Sequence, residues 1–310
     1  MYLATEREDR HKQWREISQN FSSETSGSTF VQYIRHVVIV EYGHILPKDL
    51  YGFLSRKKSY SRSPPYPPEL LDLLSKRLPL YLQMDDPTIS GPAEGKALEI
   101  FTALNSLNIL TVRPIMLALF ELDNAQEGMD YLHRLVVRRI VVGNLGTGNI
   151  ERRFSEAAKK IWETKDWTVL SRDLADLNPS REDFVDQLRK RSSNKTTLTF
   201  VRRSVLQKTT TPISQGILHW IWPKNVIDWP NLTDEISFFW AATLGNSIIA
   251  DIAARPPQAT EIWEGFKGAL LVHAVDREFA DELKAYSDWG VESIEEMGRK
   301  VSEQAADLWY

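Results

Sequence analysis

Apolar and polar positions recur with helical spacing through most of the first two hundred residues. The stretch EREDRHKQWREISQNF (6–21) is amphipathic and polar, and STFVQYIRHVVIVEYG (28–43) is a largely apolar helix that Gly43 stops. Pro47 falls in the first turn of the next helical segment (46–58), where its missing N–H is harmless. Four prolines within 64–70 predict a loop of polyproline character. Helical patterns then follow at about 68–84, 92–107, 112–122, 126–142, 149–164 and 181–191. Ser180 followed by Asp183 predicts a cap at the start of the last of these. The glycine-rich GNLGTGN (143–149) lacks the Lys-Ser/Thr of a phosphate-binding loop and follows a helical pattern, so it is expected to be a helix–helix turn.

The texture changes near residue 209. KTTTPISQGILHWIWPKN holds β-branched residues, Pro212 and Gly216, and reads as a loop feeding a short strand. FFWAATLGNSIIADIAARPP (238–257) reads as a helix end, a Gly-Asn turn and a second short segment. Helical patterns return in DREFADELKAYSDWG and in VESIEEMGRKVSEQAADLWY, where Ile294, Val301, Ala305 and Leu308 form a stripe. The expected fold is mainly α: a helical domain over 1–208, then a small α+β domain over 209–310 braced by helices.

Composition narrows the picture. Zero cysteines among 310 residues exclude disulfides, zinc–thiolate sites and iron–sulfur clusters. No apolar run reaches the roughly 18 residues of a membrane span, and the charged start MYLATEREDRHKQW does not resemble a signal peptide. A cytoplasmic protein with no membrane partner is expected. Half of the ten tryptophans lie in 220–263, and a core built on large aromatics is favoured over stacking platforms for bases. Residues 209–310 hold 7 Lys+Arg against 16 Asp+Glu, a net −9, which leaves +5 for the rest of a −4 chain. Two basic segments, HRLVVRRIVV (133–142) and RKRSSNKTTLTFVRRSVLQK (189–208), are the candidate phosphate-facing surface. Arg189, Arg191, Lys195, Arg202 and Arg203 are the expected DNA contacts.

LHWIWPKN (218–225), LGNSII (244–249) and WGVESIEEMGRKVSEQAADLW (289–309) occur in that order, preceded by FVQYIRHVVIVEYGHILPKDLYGFLSRK (30–57). Together they resemble the helical region and C-terminal domain of the GmrSD-type modification-dependent restriction endonucleases and related phage-defence proteins. The resemblance implies a ββα-type His-Me-finger nuclease domain acting on DNA with Mg²⁺ or another divalent cation. It also implies an upstream nucleotide-using domain with an Asp-Gly-Gln-Gln-Arg motif. That motif is absent here, so the chain is expected to be a fragment or a subunit whose nucleotide-using partner is separate.

The implied chemistry needs a histidine base on a short strand to take a proton from water, with a divalent ion to neutralise the phosphate. His219 is the candidate base, Asn246 the orienting group or ligand, and Asp251 the hard oxygen ligand. In the family two residues separate the base from the following proline, whereas three separate His219 from Pro223. Aligning on Pro223 puts Trp220 in the base's place, and an indole only donates. A one-residue slip on a strand turns His219 to the other face, unless a bulge restores it. Three readings follow: a domain of nuclease type that no longer cleaves, an active endonuclease using His219, and a non-catalytic scaffold binding DNA or protein. His44, in GHILPK (43–48), matches the nuclease strand letter for letter, but it lies between helical segments and Pro47 is expected to start a helix.

Overall fold

The computed structural model describes residues 2–21, 29–56, 63–143, 148–190, 195–222, 239–251, 263, 265 and 270–310. Its helices are α1 (Tyr2–Gln19), α2 (Phe30–Tyr42), α3 (Leu50–Leu54), α4 (Pro67–Asp85), α5 (Gly95–Ser106), α6 (Arg113–Leu119), α7 (Ala125–Val142), α8 (Gly148–Thr164), α9 (Val169–Asp173), α10 (Arg181–Lys190) and α11 (Lys195–Gln207). Two short strands follow, β1 (Ile217–Trp220) and β2 (Ser247–Ala250), and then α12 (Arg277–Lys284) and α13 (Val291–Trp309). The fold is mainly helical with one small antiparallel sheet. Among the described residues no helix is long and apolar enough to cross a membrane.

The chain divides into two compact units, Met1–His133 with Leu145–Asp176, and Arg134–Asn144 with Leu177–Tyr310. In the first unit, α2 starts on a full capping box between Thr29 and Gln32 and ends at Gly43, whose φ of 81° suits glycine. Buried Arg77 on α4 donates to Glu41, Glu121 and the Val37 carbonyl. Such a guanidinium is tolerated inside because its donors are paired. Pro47 opens a 3-10 turn (Pro47–Asp49) ahead of α3, so His44 sits at a helix junction, its Nδ1 3.4 Å from Ser155 Oγ.

In the second unit α13 is the central element. Its buried face carries Ile294, Met297, Gly298, Val301, Ser302, Ala305, Ala306 and Trp309, a stripe at helical spacing. It packs on α10, on α11 and on the 3-10 turn Leu244–Asn246 that leads into β2. Ser180 caps α10 by accepting from Asp183 N at 3.0 Å. The Tyr310 hydroxyl donates toward the Pro179 and Ser180 carbonyls just ahead of that helix. Trp222, Trp289 and Trp309 are fully buried, which bears out the aromatic core.

Part of the acidic charge of the last hundred residues is met inside this unit. Arg181 on α10 reaches Glu303 and Asp307 on α13, both at 2.7 Å. Arg134 donates to the Leu308 carbonyl at 2.7 Å, where a helix C-terminus favours a cation. The Arg138 guanidinium lies 4.6 Å from the centre of the Tyr310 ring. Arg134 and Arg138 are thus held within this unit, with Leu135, Val136, Val137 and Arg138 all buried.

Candidate functional site: the β1–β2 strand pair

The two strands pair Ile217 with Ala250, Leu218 with Ile249, His219 with Ile248 and Trp220 with Ser247. Ile221 N extends the ladder by donating to the Asn246 carbonyl at 2.9 Å. Side chains alternate across a sheet, so His219 shares a face with Ile217, Ile248 and Ala250, and Trp220 points to the other. Ile248 and Ala250 are fully buried, and the imidazole lies partly buried among apolar neighbours.

His219 Nε2 is buried without a hydrogen-bond partner. Burial holds the imidazole below its ordinary pKa and the Lys195 ammonium pushes the same way, while a hydrogen bond with the Asp251 backbone pulls it up. The ring is therefore biased toward its neutral form. Asp251 itself is exposed just past β2, and its N–H donates to the His273 carbonyl at 2.8 Å. The structure thus brings His219 and Asp251 together through the Asp251 main chain.

Asn246 has a different role. It is completely buried. Its Oδ1 accepts from Trp222 N at 2.9 Å and from Trp289 Nε1 at 3.1 Å, and its Nδ2 donates to the Trp222 and Ala241 carbonyls at 2.7 and 2.8 Å. Both ends of the carboxamide are spent on the protein. The preceding residue explains the glycine: a Cβ on Gly245 would lie 1.9 Å from the Ile294 carbonyl oxygen and 2.7 Å from Gly298 N. The Leu-Gly-Asn turn is shaped by close approach to α13 rather than by an open ligand site.

The expected DNA contacts are also placed. Arg202 does not face a phosphate: it is 1% exposed, on the inner side of α11, with its guanidinium 4.1 Å over the Phe279 ring. Burial pushes its pKa down to about 10, and Asp276 partly offsets this. Arg203 is turned inward to donate to the Gln215 and Gly216 carbonyls, closing the loop ahead of β1. Arg189 pairs with Asp186 at 3.1 Å and approaches Glu295 at 3.9 Å. Lys195, the first residue of α11, is exposed, and Arg191 lies outside the described residues. The expectation is corrected at Arg202, which is buried, while Arg189 pairs with carboxylates and Arg203 with main-chain carbonyls of their own unit. One sequence signal points to the burial of Arg202. Leu198, Val201, Arg202 and Val205 stand at i, i+3, i+4 and i+7, so the arginine falls on an apolar stripe.

A divalent ion needs several hard oxygen or imidazole donors around one point. Among the described residues no three His, Asp or Glu side chains converge in that way, and Asn246 has no oxygen to spare. The described donor set does not fit the ion. No family model matches the chain, and no curated protein matches it.

Proposed function

We propose that the chain is the helical and C-terminal part of a GmrSD-type phage-defence restriction system, or a subunit of one, and that its C-terminal module is a nuclease-like fold that no longer cleaves DNA. One observation carries this reading. The three sequence segments that resemble the family, at 218–225, 244–249 and 289–309, meet at the Asn246 carboxamide through Trp222 and Trp289. That meeting is a packed core in which the group implied to orient a base or hold an ion is fully committed. With Arg202 buried and Arg189 and Arg203 engaged within their own unit, the partner inferred is a protein, the separate nucleotide-using subunit, rather than DNA.

The active reading rests on its own observation, the neutral-biased His219 imidazole with an unpaired ring nitrogen, which is the state a general base requires. Plasmid nicking with Mg²⁺ or Mn²⁺ separates the two. The expected result is no cleavage by the wild-type chain or by His219→Ala. Cleavage by the wild type that His219→Ala abolishes would establish the active reading in its place. Fluorescence anisotropy with duplex DNA at low salt is expected to show no binding. Binding that weakens steeply with salt would restore DNA as the partner.

A further inference from the structure

A cavity of about 400 Å³ opens in the second unit between α11, α12 and α13. Its size suits a small molecule. Val205, Leu206 and Leu308 supply apolar wall, and Arg202 and Phe279 also line it. Arg202 is the unusual member. Both its Nε and its Nη2 are buried and make no hydrogen bond. The nearest carboxylate is Asp276, whose Oδ2 stays 3.7 Å from Nη2, beyond hydrogen-bond reach. The other oxygen of Asp276 is already engaged in capping α12, accepting from Phe279 N at 3.0 Å.

Nε–H and Nη2–H form one edge of the guanidinium, the edge that meets a carboxylate with two parallel hydrogen bonds. The flat face is used by Phe279. What remains unspent is the two-pronged donor fork of a residue in the cavity wall, held inside the protein at a desolvation cost that its own neighbours do not fully offset. The remaining charges set the valence of a ligand. Lys300 is already paired with Glu282, Lys208 and Arg277 stand against Glu278 and Asp307 in the rest of the lining, and Asp276 partly balances Arg202. A single negative charge therefore matches Arg202, the lining cation whose buried donors make no hydrogen bond.

We infer that this cavity binds a small monocarboxylate with an apolar body, its carboxylate drawn to the Arg202 guanidinium and its body against Val205, Leu206 and Leu308. The site is independent of the β1–β2 strand pair and of the nuclease reading.

The test is calorimetric titration of the full chain with hexanoate, beside 1-hexanol and inorganic phosphate. Hexanoate is expected to bind with a Kd on the order of 1 mM or tighter, a range open to a ligand of that size, and both comparators at least tenfold more weakly. In Arg202→Met hexanoate affinity is expected to fall at least tenfold while the thermal midpoint is kept or raised, because an apolar side chain of similar length replaces an under-satisfied buried charge. Leu206→Trp fills the cavity without touching the arginine and is expected to lose hexanoate with an unchanged circular dichroism spectrum, which keeps the test decisive should Arg202→Met not fold. Equal binding of hexanol or phosphate, or unchanged hexanoate binding in either folded variant, overturns the proposal.

Discussion

The indole N–H of Trp289 donates to the carboxamide oxygen of Asn246 at 3.1 Å, and that bond ties the turn ahead of β2 to the residues that open the C-terminal helix. The same oxygen also accepts from Trp222 N, so one side chain joins both strands' surroundings to α13.

Asn246→Ala is expected to destabilise the protein by about 3 kcal/mol or more, since several buried donors and acceptors lose partners together and each unsatisfied group costs roughly 1–3 kcal/mol. Urea denaturation measures it. A loss below about 1 kcal/mol would show that the four bonds are not structural.

Trp289→Phe removes the indole donor and keeps most of the ring volume. Its cost is expected to couple with that of Asn246→Ala by at least about 0.5 kcal/mol in a double-mutant cycle, as side chains in one network do. Strict additivity would mean that the indole bond contributes nothing.

Gly245→Ala places a methyl group 1.9 Å from the Ile294 carbonyl oxygen. The obstacle is helix backbone, so the turn must move away from α13. The expected outcome is a loss of about 3 kcal/mol or more, at the upper end of overpacking costs, read as a lower urea midpoint. Wild-type stability would be incompatible with the close approach described.

His36 gives the acid limb of the first unit. Burial, with Arg113 and Arg35 acting the same way, lowers its pKa from 6.5 to about 3. The unfolded chain therefore binds a proton that the folded one refuses, and stability falls as pH drops from 6.5 toward 3. The slope from this residue is about 1.4 kcal/mol per pH unit. In His36→Gln, acid denaturation profiles should show a slope shallower by about one proton across that window. An unchanged slope would contradict a neutral buried imidazole.

His219 should titrate below 6.5 for the reasons of burial and the nearby Lys195 ammonium. Imidazole proton shifts followed by NMR give the midpoint. In Lys195→Ala the midpoint is expected to rise, because a positive neighbour opposing protonation is removed. No rise would remove that neighbour from the explanation.

Much of the helical framework was legible along the chain because its determinants are local. Gly43, Pro47 and the Ser180 cap each act within a few residues of the boundary they set, and α2, α7, α8 and α10 begin and end within about two residues of their sequence patterns; most of the expected 143–149 turn lies outside the described residues. The strand at 217–220 and the short segment after Leu-Gly-Asn were legible for the same reason, a β-branched run bounded by turn residues.

Orientation and occupancy were not local. A list of arginines between 189 and 208 reads as a phosphate surface until α12 and α13 bring Asp276, Phe279 and Glu295 against it. Asn246 reads as a ligand until Trp222 and Trp289, 24 behind it and 43 ahead of it in sequence, close around its amide. Spacing along a helix or strand tells which residues share a face, and that follows from backbone periodicity alone. Whether that face meets water, a carboxylate or an indole depends on segments far away in the chain, and packing decided it here.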